Sequence, residues 1–533
     1  MRHLVATEAL LAEGNAERAR QELAFIFQYQ NRSNGMIWHE ISQSAGFIDW
    51  AGKYPYMYVH VDITFAFLST LTDYYAATGD LTFLREHWEQ IESAYAECRS
   101  IVNPRTALPE IPAGKEGGNE QDRMREDVGL SAAWVAASAA YRQLALATAH
   151  ASEASSAEEA AGKAHQALAA RYWDAKANFW IAGYSASGAI MTDERSHPDL
   201  LGRSLLAPGQ ENAVLDRLAS ADFQTDWGTR SMSAQSPRYD PDSYGGGSVS
   251  ALLTSEMADA FWRDHRPAIA WPVWQSILPW LQLDSLGHIH ELLAGDFYHP
   301  QVESVPEQTW SSAGILHSMM QGIFGIDVDA PNSRLTLAPH LDPRWDEVSI
   351  AKIPVGARKL SAMIEQKPGG LDGAFSVDRG SVHVSFDPEI PLGATGIHAE
   401  VNGRTVPVAL EQHAEDEHAR VEMDVMHDTV HCRILYTGGV RLMAPAAHPA
   451  IGDSSRQLKL TSVALDQHLL TVEADVASAE AASLDLQTPW KINSVDGGSA
   501  ISLGNGWYRV TFTERPAQSQ YEHRRMSVNF QAQ

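Results

Sequence analysis

The stretch Gly287-His288-Ile289-His290-Glu291-Leu292-Leu293-Ala294-Gly295-Asp296-Phe297-Tyr298, followed by Gln308-Thr309-Trp310-Ser311-Ser312-Ala313, decides how the first three-fifths of this chain is read. It puts a long aromatic loop carrying Glu291 directly ahead of a predicted helix, 309–323, that opens on Trp-Ser. Working outward, apolar residues recur at helical spacing over 3–13, 15–31, 60–78, 81–103, 128–148, 153–172, 196–206, 210–219, 248–263 and 266–281 as well. Some connections are tight, as at Glu13-Gly14-Asn15 and Thr78-Gly79-Asp80, where Gly ends one helix and Asn or Asp caps the next. Others, over 32–59, 104–127, 222–247 and 282–308, are long and rich in Gly, Pro, Trp, Tyr and acidic residues. Long ordered loops in a compact domain usually carry function. If 309–323 is the last inner helix of a ring of hairpins, then 60–78, 128–148 and 248–263 are inner too, each behind a long loop. That makes 3–13 the first inner helix. Eleven helices are one short of a ring of six pairs, so the first outer helix is expected to be missing from this sequence.

From Gly325 the pattern changes. Arg334-Leu-Thr-Leu-Ala, Lys359-Leu-Ser-Ala-Met-Ile and Ser381-Val-His-Val-Ser-Phe alternate as half-buried strands do. Met443-Ala-Pro-Ala-Ala-His-Pro and Gly452-Asp-Ser-Ser read as a linker, and Leu458-Lys-Leu-Thr-Ser-Val and Trp507-Tyr-Arg-Val-Thr-Phe as strands of a smaller β-sandwich. The expected class is therefore mainly α and multidomain: a helical domain over 1–324, a β-sandwich over 325–445 and a second over 446–533. The chain's 533 residues exceed one ordinary core. Its formal charge of −27 argues against nucleic acid or an anionic membrane as the main partner, whereas a neutral substrate is indifferent to that field. No run of 18 apolar residues predicts a membrane span. The start, Met1-Arg2-His3-Leu4, lacks a signal-peptide apolar region, which suits the cytoplasm, or the periplasm if a segment precedes it. Cys98 and Cys432 lack metal or disulfide spacing and read as buried fillers.

A second acidic loop, Lys115-Glu116-Gly117-Gly118-Asn119-Glu120-Gln121-Asp122-Arg123, lies far upstream in the same context. Two carboxyl groups on separate loops suit cleavage of a glycosidic bond, which needs one acid and one base facing each other across it. The plain rival is a pair of solvated surface acids.

Four places resemble the six-hairpin glycosidases: glucoamylases, trehalases, processing α-glucosidases, bacterial amylo-α-1,6-glucosidases and α-L-rhamnosidases. Arg238-Tyr239-Asp240-Pro241-Asp242-Ser243-Tyr244-Gly245 resembles the glucoamylase substrate loop, and Glu291 with the following Trp310-Ser311 resembles its base loop. Glu116-Gly117-Gly118-Asn119-Glu120 is similar in spacing to the acid loop of trehalases and processing α-glucosidases. Thr225-Asp226-Trp227-Gly228-Thr229-Arg230 resembles an Asp-Trp-Gly-x-Arg loop of glycogen-debranching-like bacterial proteins, and 330–346 resembles the start of their β-domain. The resemblance implies an (α/α)6 barrel over about 1–345. It further implies an inverting exo-acting hydrolase of α-linked oligosaccharides, most like the amylo-α-1,6-glucosidase group.

In that reading Glu120 protonates the leaving oxygen and Glu291 activates water on the opposite face of the sugar, with Asp122 or Glu116 as alternative acids and Asp296 or Glu303 as alternative bases. Arg238, Asp242 and Asp226 suit hydrogen bonding to sugar hydroxyls. Trp38, Trp50, Tyr54, Tyr56, Trp227 and Tyr244 are candidate stacking platforms, and Trp310 a further substrate contact. Asp62, opening helix 60–78, is a substrate-binding candidate and equally a first-turn acid complementing the helix dipole. Arg230 reads as a loop brace, and His288 and His290 as scaffolding beside the base. His39-Glu40 has no partner at metal spacing, so neither a metal nor another cofactor is expected. The chain departs from the glucoamylase pattern in lacking an Arg-Asp pair before its first helix, in Gly247-Ser248 where an aromatic residue follows the glycine turn, and in Asn119-Glu120 for Trp-Asp. The alternatives are an α-L-rhamnosidase on the same barrel and a non-catalytic carbohydrate-binding or scaffold protein. Oligomeric state is not legible.

Overall fold

A computed structural model describes residues 2–41, 55–118, 123–284, 286–413, 415–477, 482–513 and 520–531. The chain divides into two compact units: 1–214 with 235–239 and 244–246, and 215–234 with 240–243 and 247–533.

The first unit is built of helix hairpins. Arg2–Ala12 packs on Ala16–Gln28, Asp62–Thr78 on Trp88–Ser100, and Val128–Ala147 on Ala151–Tyr172. The first helix of each pair also packs on the first helix of the next: Arg2–Ala12 on Asp62–Thr78, and that on Val128–Ala147. These shared helices bury nearly every side, as the all-round apolar Asp62–Thr78 shows with Phe65, Phe67, Leu68 and Leu71 at 0–1% exposure. Local signals set the ends. Gly79 takes a left-handed φ of 69°, its N–H returns to Tyr75, and the Asp80 side chain caps the next helix through the Phe83 N–H at 3.0 Å. Asp127 caps Val128–Ala147 in the same way through Leu130.

The second unit repeats the arrangement once. Ala251–Arg263 packs on Pro267–Gln275 and on Thr309–Ser318. Four of the expected helices are cut shorter than the periodicity suggested. The segment 81–103 breaks at His87, and 266–281 ends as an α-helix at Gln275 because Pro272 and Pro279 remove donors. The segment 196–206 keeps a 3-10 turn, Pro198–Leu200, since Gly202 and Ser204 take φ of 65° and 54°. The helix at 309 gives way to a π-helical turn over Met319–Ile323.

From Ile326 to Phe530 the described chain is strands. Two six-stranded sheets form the first sandwich. One orders Ile326–Asp329, Arg334–Leu337, Val382–Phe386, Glu417–Val425 and Glu389–Ile390, with Ala409–Gln412 pairing on Glu417–Val425. The other runs Glu347–Val355, Arg358–Lys367, Gly370–Val377, Val430–Thr437, Thr395–Val401 and Arg404–Val406. Leu335, Val355, Leu360, Phe375, Val384 and Phe386 lie in their shared core. Two four-stranded sheets between Arg441 and Phe530 form the smaller β part. The expected "mainly α" weighting is thus corrected to a mixed chain, because extended strands fill almost everything after Gly325. No described helix is long and apolar enough to cross a membrane, and Cys98 and Cys432 are both buried.

Gly325 makes the turn from helix to strand. Its φ is 57°, and a Cβ there would lie 2.1 Å from the Ala338 carbonyl oxygen. Gly325→Ala is therefore expected to destabilise the second unit by about 1–3 kcal/mol, read as a lower urea midpoint at unchanged slope.

Candidate active site

In the first unit the Glu116 loop lies along the segment that leads into helix Asp62–Thr78. Val61 N–H donates to the Glu116 carbonyl at 2.9 Å and Glu116 N–H to the Val59 carbonyl at 3.0 Å, while Lys115 Nζ holds the Tyr58 carbonyl at 2.6 Å. His60, 2% exposed, ties the two segments together. Its Nδ1–H donates to the Gly117 carbonyl at 2.9 Å, its Nε2 lies 3.5 Å from the Glu116 carboxylate, and Asp62 is 3.7 Å from Nδ1. The His39 ring rests against His60 at 4.0 Å between centroids. A Cβ on Gly118 would stand 3.4 Å from Asp62 Oδ2, so this backbone runs directly over the Asp62 carboxylate. The structure thus brings Asp62 and Glu116 to one place, with two histidines between and beside them. Glu120 and Asp122 lie outside the described residues, as do Trp50, Tyr54 and the Tyr56 side chain.

Arg238 enters a second cluster of the same unit. Its Nη1 meets the buried Asp193 at 2.7 Å; Ser236 Oγ donates to Asp193 at 3.4 Å, and Arg195 lies 3.7 Å from it. Arg195 also donates to the Gly245 carbonyl at 3.3 Å, next to the half-buried Tyr244. Asp193 and Arg195 escaped the sequence reading. Their signal was the charged run Asp193-Glu194-Arg195, which the expected helix 196–206 drew attention away from.

In the second unit Glu291 is 3% exposed. Leu292–Leu293 pairs with Val249–Ser250, the residues immediately before helix Ala251–Arg263, and Ser250 caps that helix through Leu253. On the other side Gln308 N–H, at the start of helix Thr309–Ser318, donates to the Ile289 carbonyl at 3.0 Å. The Glu291 backbone is thereby pinned beside the N-terminal ends of two adjacent helices, whose dipoles place positive partial charge there. Its own N–H bonds to the Val305 carbonyl at 2.9 Å. His290 braces the loop through Asp284 and, at 3.3 Å, Ser304 Oγ; His288 pairs with Glu307 at 3.2 Å. Asp296 and Glu303, the alternative bases, are exposed. Trp310 is half-buried in the first turn of its helix, and Asp242 is exposed with its carbonyl bonded by Gln301.

Three expected substrate contacts are occupied by the fold. Asp226 is buried, and its carboxylate accepts from Ser455 Oγ at 2.9 Å, Arg456 N–H at 2.7 Å, Gln457 N–H at 3.0 Å and Lys459 Nζ at 2.6 Å. Burial works to raise the Asp226 carboxyl, but Lys459 and these donors outweigh it and hold it below the usual range. Trp227 is fully buried, with its indole N–H on the Ala294 carbonyl at 2.9 Å. Trp38 is buried too, donating to the Ile26 carbonyl at 3.2 Å and meeting Phe25 edge-on. These rings are core, with no face left for a sugar. Arg230 is the brace expected, donating to the Gly295, Ala221 and Asp222 carbonyls. Among the described residues, the side chains grouped closely enough to hold a metal ion lie elsewhere, around Asp416.

No protein-family model matches the chain, and no curated protein matches it. Among solved structures it is similar to an α-L-rhamnosidase from Dictyoglumus thermophilum, at 11% identity over 81% of this chain and 45% of that one, with a TM-score of 0.53. It is similar to a sialidase at 10% identity over 56% of this chain and 29% of that one, TM-score 0.50. A GH63 mannosylglycerate hydrolase from Thermus thermophilus aligns at 16% identity over 59% of this chain and 91% of that one, TM-score 0.46. The chain therefore spans under half the length of the sialidase and rhamnosidase chains it matches. At 10–11% identity the likeness to the sialidase and the rhamnosidase is one of fold alone.

Proposed function

We propose that this chain is a glycoside hydrolase whose helices form an (α/α)6 barrel, with Glu291 as the general base and Glu120 as the general acid of an inverting cleavage. The observation that carries the reading is the setting of Glu291: a buried carboxylate on a loop bonded to the entry segments of two neighbouring helices. The helix-on-alternate-helix packing within each unit supports the barrel. The Glu116 loop over Asp62 supports an acid loop at the same kind of helix end. Arg238 and Asp242 remain the residues proposed to hold the terminal sugar, with Tyr244 and Trp310 at its faces. The substrate is an α-linked oligosaccharide or glycoside, and the amylo-α-1,6-glucosidase type is the leading specificity. An α-L-rhamnosidase is the second reading, supported by the fold likeness over 81% of the chain.

Both are tested by incubating the protein with p-nitrophenyl α-glucoside and α-rhamnoside and following the first-formed anomer by NMR. Inversion places the general acid and base about 6.5–9.5 Å apart, leaving room for the attacking water. The expected result is release of the β-anomer from the α-glucoside. Cleavage of the rhamnoside alone selects the second reading, an α-anomer formed first overturns inversion, and no turnover of any α-glycoside leaves the binding or scaffold reading.

A further inference from the structure

A group of four histidines surrounds Asp416 in the second unit. Asp416 is fully buried. His418 Nε2 lies 3.2 Å from its Oδ2, His340 Nε2 3.7 Å from the same oxygen, and His265 Nδ1 3.0 Å from Oδ1. These side chains come from separate places: His265 from the turn after helix Ala251–Arg263, His340 from the entry to the first sandwich, and His418 from strand Glu417–Val425.

The tautomers of two rings are set from behind. His418 Nδ1 is 2.7 Å from the Asp387 carbonyl and His340 Nδ1 is 2.9 Å from the Gly322 carbonyl. A carbonyl only accepts, so each Nδ1 carries its hydrogen, and in a neutral ring Nε2 then offers a lone pair. In neutral rings both lone pairs would face the carboxylate of Asp416, a pure acceptor when ionised, so a proton or a metal ion must lie between them. Among the described residues nothing donates to His340 Nε2, although that ring is buried. Electron pairs facing one another out of water are costly unless a cation lies among them. Imidazoles that donate their far N–H to backbone carbonyls are the outer arrangement of metal-bound histidines. Bonds of about 2.0–2.1 Å to a tetrahedral ion separate its ligands by about 3.3 Å, close to the 3.2 and 3.7 Å from His418 and His340 to Asp416 Oδ2.

We propose that His340 Nε2, His418 Nε2 and Asp416, three buried groups whose ligand atoms lie within 4.8 Å of one another, bind one divalent transition-metal ion of the zinc type. Two imidazoles and one carboxylate are a zinc-like donor set, which one water would complete to four ligands. The ion would tie the entry to the first sandwich to strand Glu417–Val425, while His265 and His413 form a separate group with Asp416. His265 holds a left-handed φ of 60°, which non-glycine residues seldom adopt, and His413 stacks flat on it with centroids 3.2 Å apart.

The competing state is a metal-free cage in which protonated imidazoles neutralise Asp416. The full-length protein, purified, loaded with Zn(II) and dialysed, distinguishes the two. Expected are about one equivalent of zinc by mass spectrometry, the intense visible bands of four-coordinate Co(II) on cobalt substitution, and a melting temperature lowered by EDTA and restored by zinc. His418→Ala and His340→Ala should lose the cobalt bands; should either fail to fold, the wild-type spectrum still decides. Zinc below about one-tenth of an equivalent, with only the weak bands of six-coordinate Co(II), would overturn the site in favour of the cage.

Discussion

Glu291→Gln is expected to lower kcat on the accepted glycoside by about 10²–10⁴-fold, with the circular dichroism spectrum unchanged. The amide keeps the shape of the side chain and can still sit in its buried position, but it cannot take a proton from water. The loop itself is held by backbone bonds, to Val305 from residue 291 and between Gln308 and Ile289, and these survive the substitution. Loss of turnover without loss of structure is therefore the signature of a base. Retention of more than about half the activity would remove Glu291 from the mechanism, since removal of a positioned base costs at least about 10²-fold. The same substitution at the exposed Asp296 or Glu303 should leave kcat within about 2-fold, because an exposed acid has no such positioned proton to lose.

Asp226→Ala is expected to destabilise the second unit by about 3–5 kcal/mol, measured by urea unfolding. The substitution strands Lys459, 8% exposed, without its partner and leaves the Arg456 and Gln457 N–H groups unanswered. An uncompensated buried ammonium is the larger part of that cost. The pair also gives stability a pH dependence of known sign. The Asp226 carboxyl is held below its ordinary value in the folded chain, so its contribution is complete above the unfolded value of about 3.9 and fades as pH falls below that. Asp226→Asn should flatten this acid limb. A change under about 1 kcal/mol in Asp226→Ala would show that the buried pair contributes little, and would return Asp226 to the residues free to meet a ligand.

Asp226 shows where residue-by-residue reading stops. In sequence it is an acid beside a tryptophan in a loop, indistinguishable from one that holds a sugar. Its partners lie 229–233 residues away, within the smaller β part, at the start of strand Lys459–Asp466. Trp227 and Trp38 failed for a related reason: aromatic residues in a long loop read as exposed platforms, and burial depends on what packs over them. The loop that carries Glu291 was legible because its signal is local, an aromatic loop directly ahead of a Trp-Ser helix start. Its difference from Asp296 and Glu303 was not, since exposure is a property of the folded loop.

Helix hairpins were legible from periodicity, their ends from Gly79, Asp80 and Asp127, and the passage into strands from the alternation after Gly325. These are short-range properties: a period of 3.6 or 2, a cap three residues away, a glycine that alone accepts the turn. Which helix packs on which, the anchoring of the Glu291 loop between two helix entries, the burial of Asp226 on Lys459 and the gathering of His265, His340 and His418 on Asp416 needed the folded chain. Each joins residues far apart in sequence, and no local pattern encodes a meeting that long-range packing brings about.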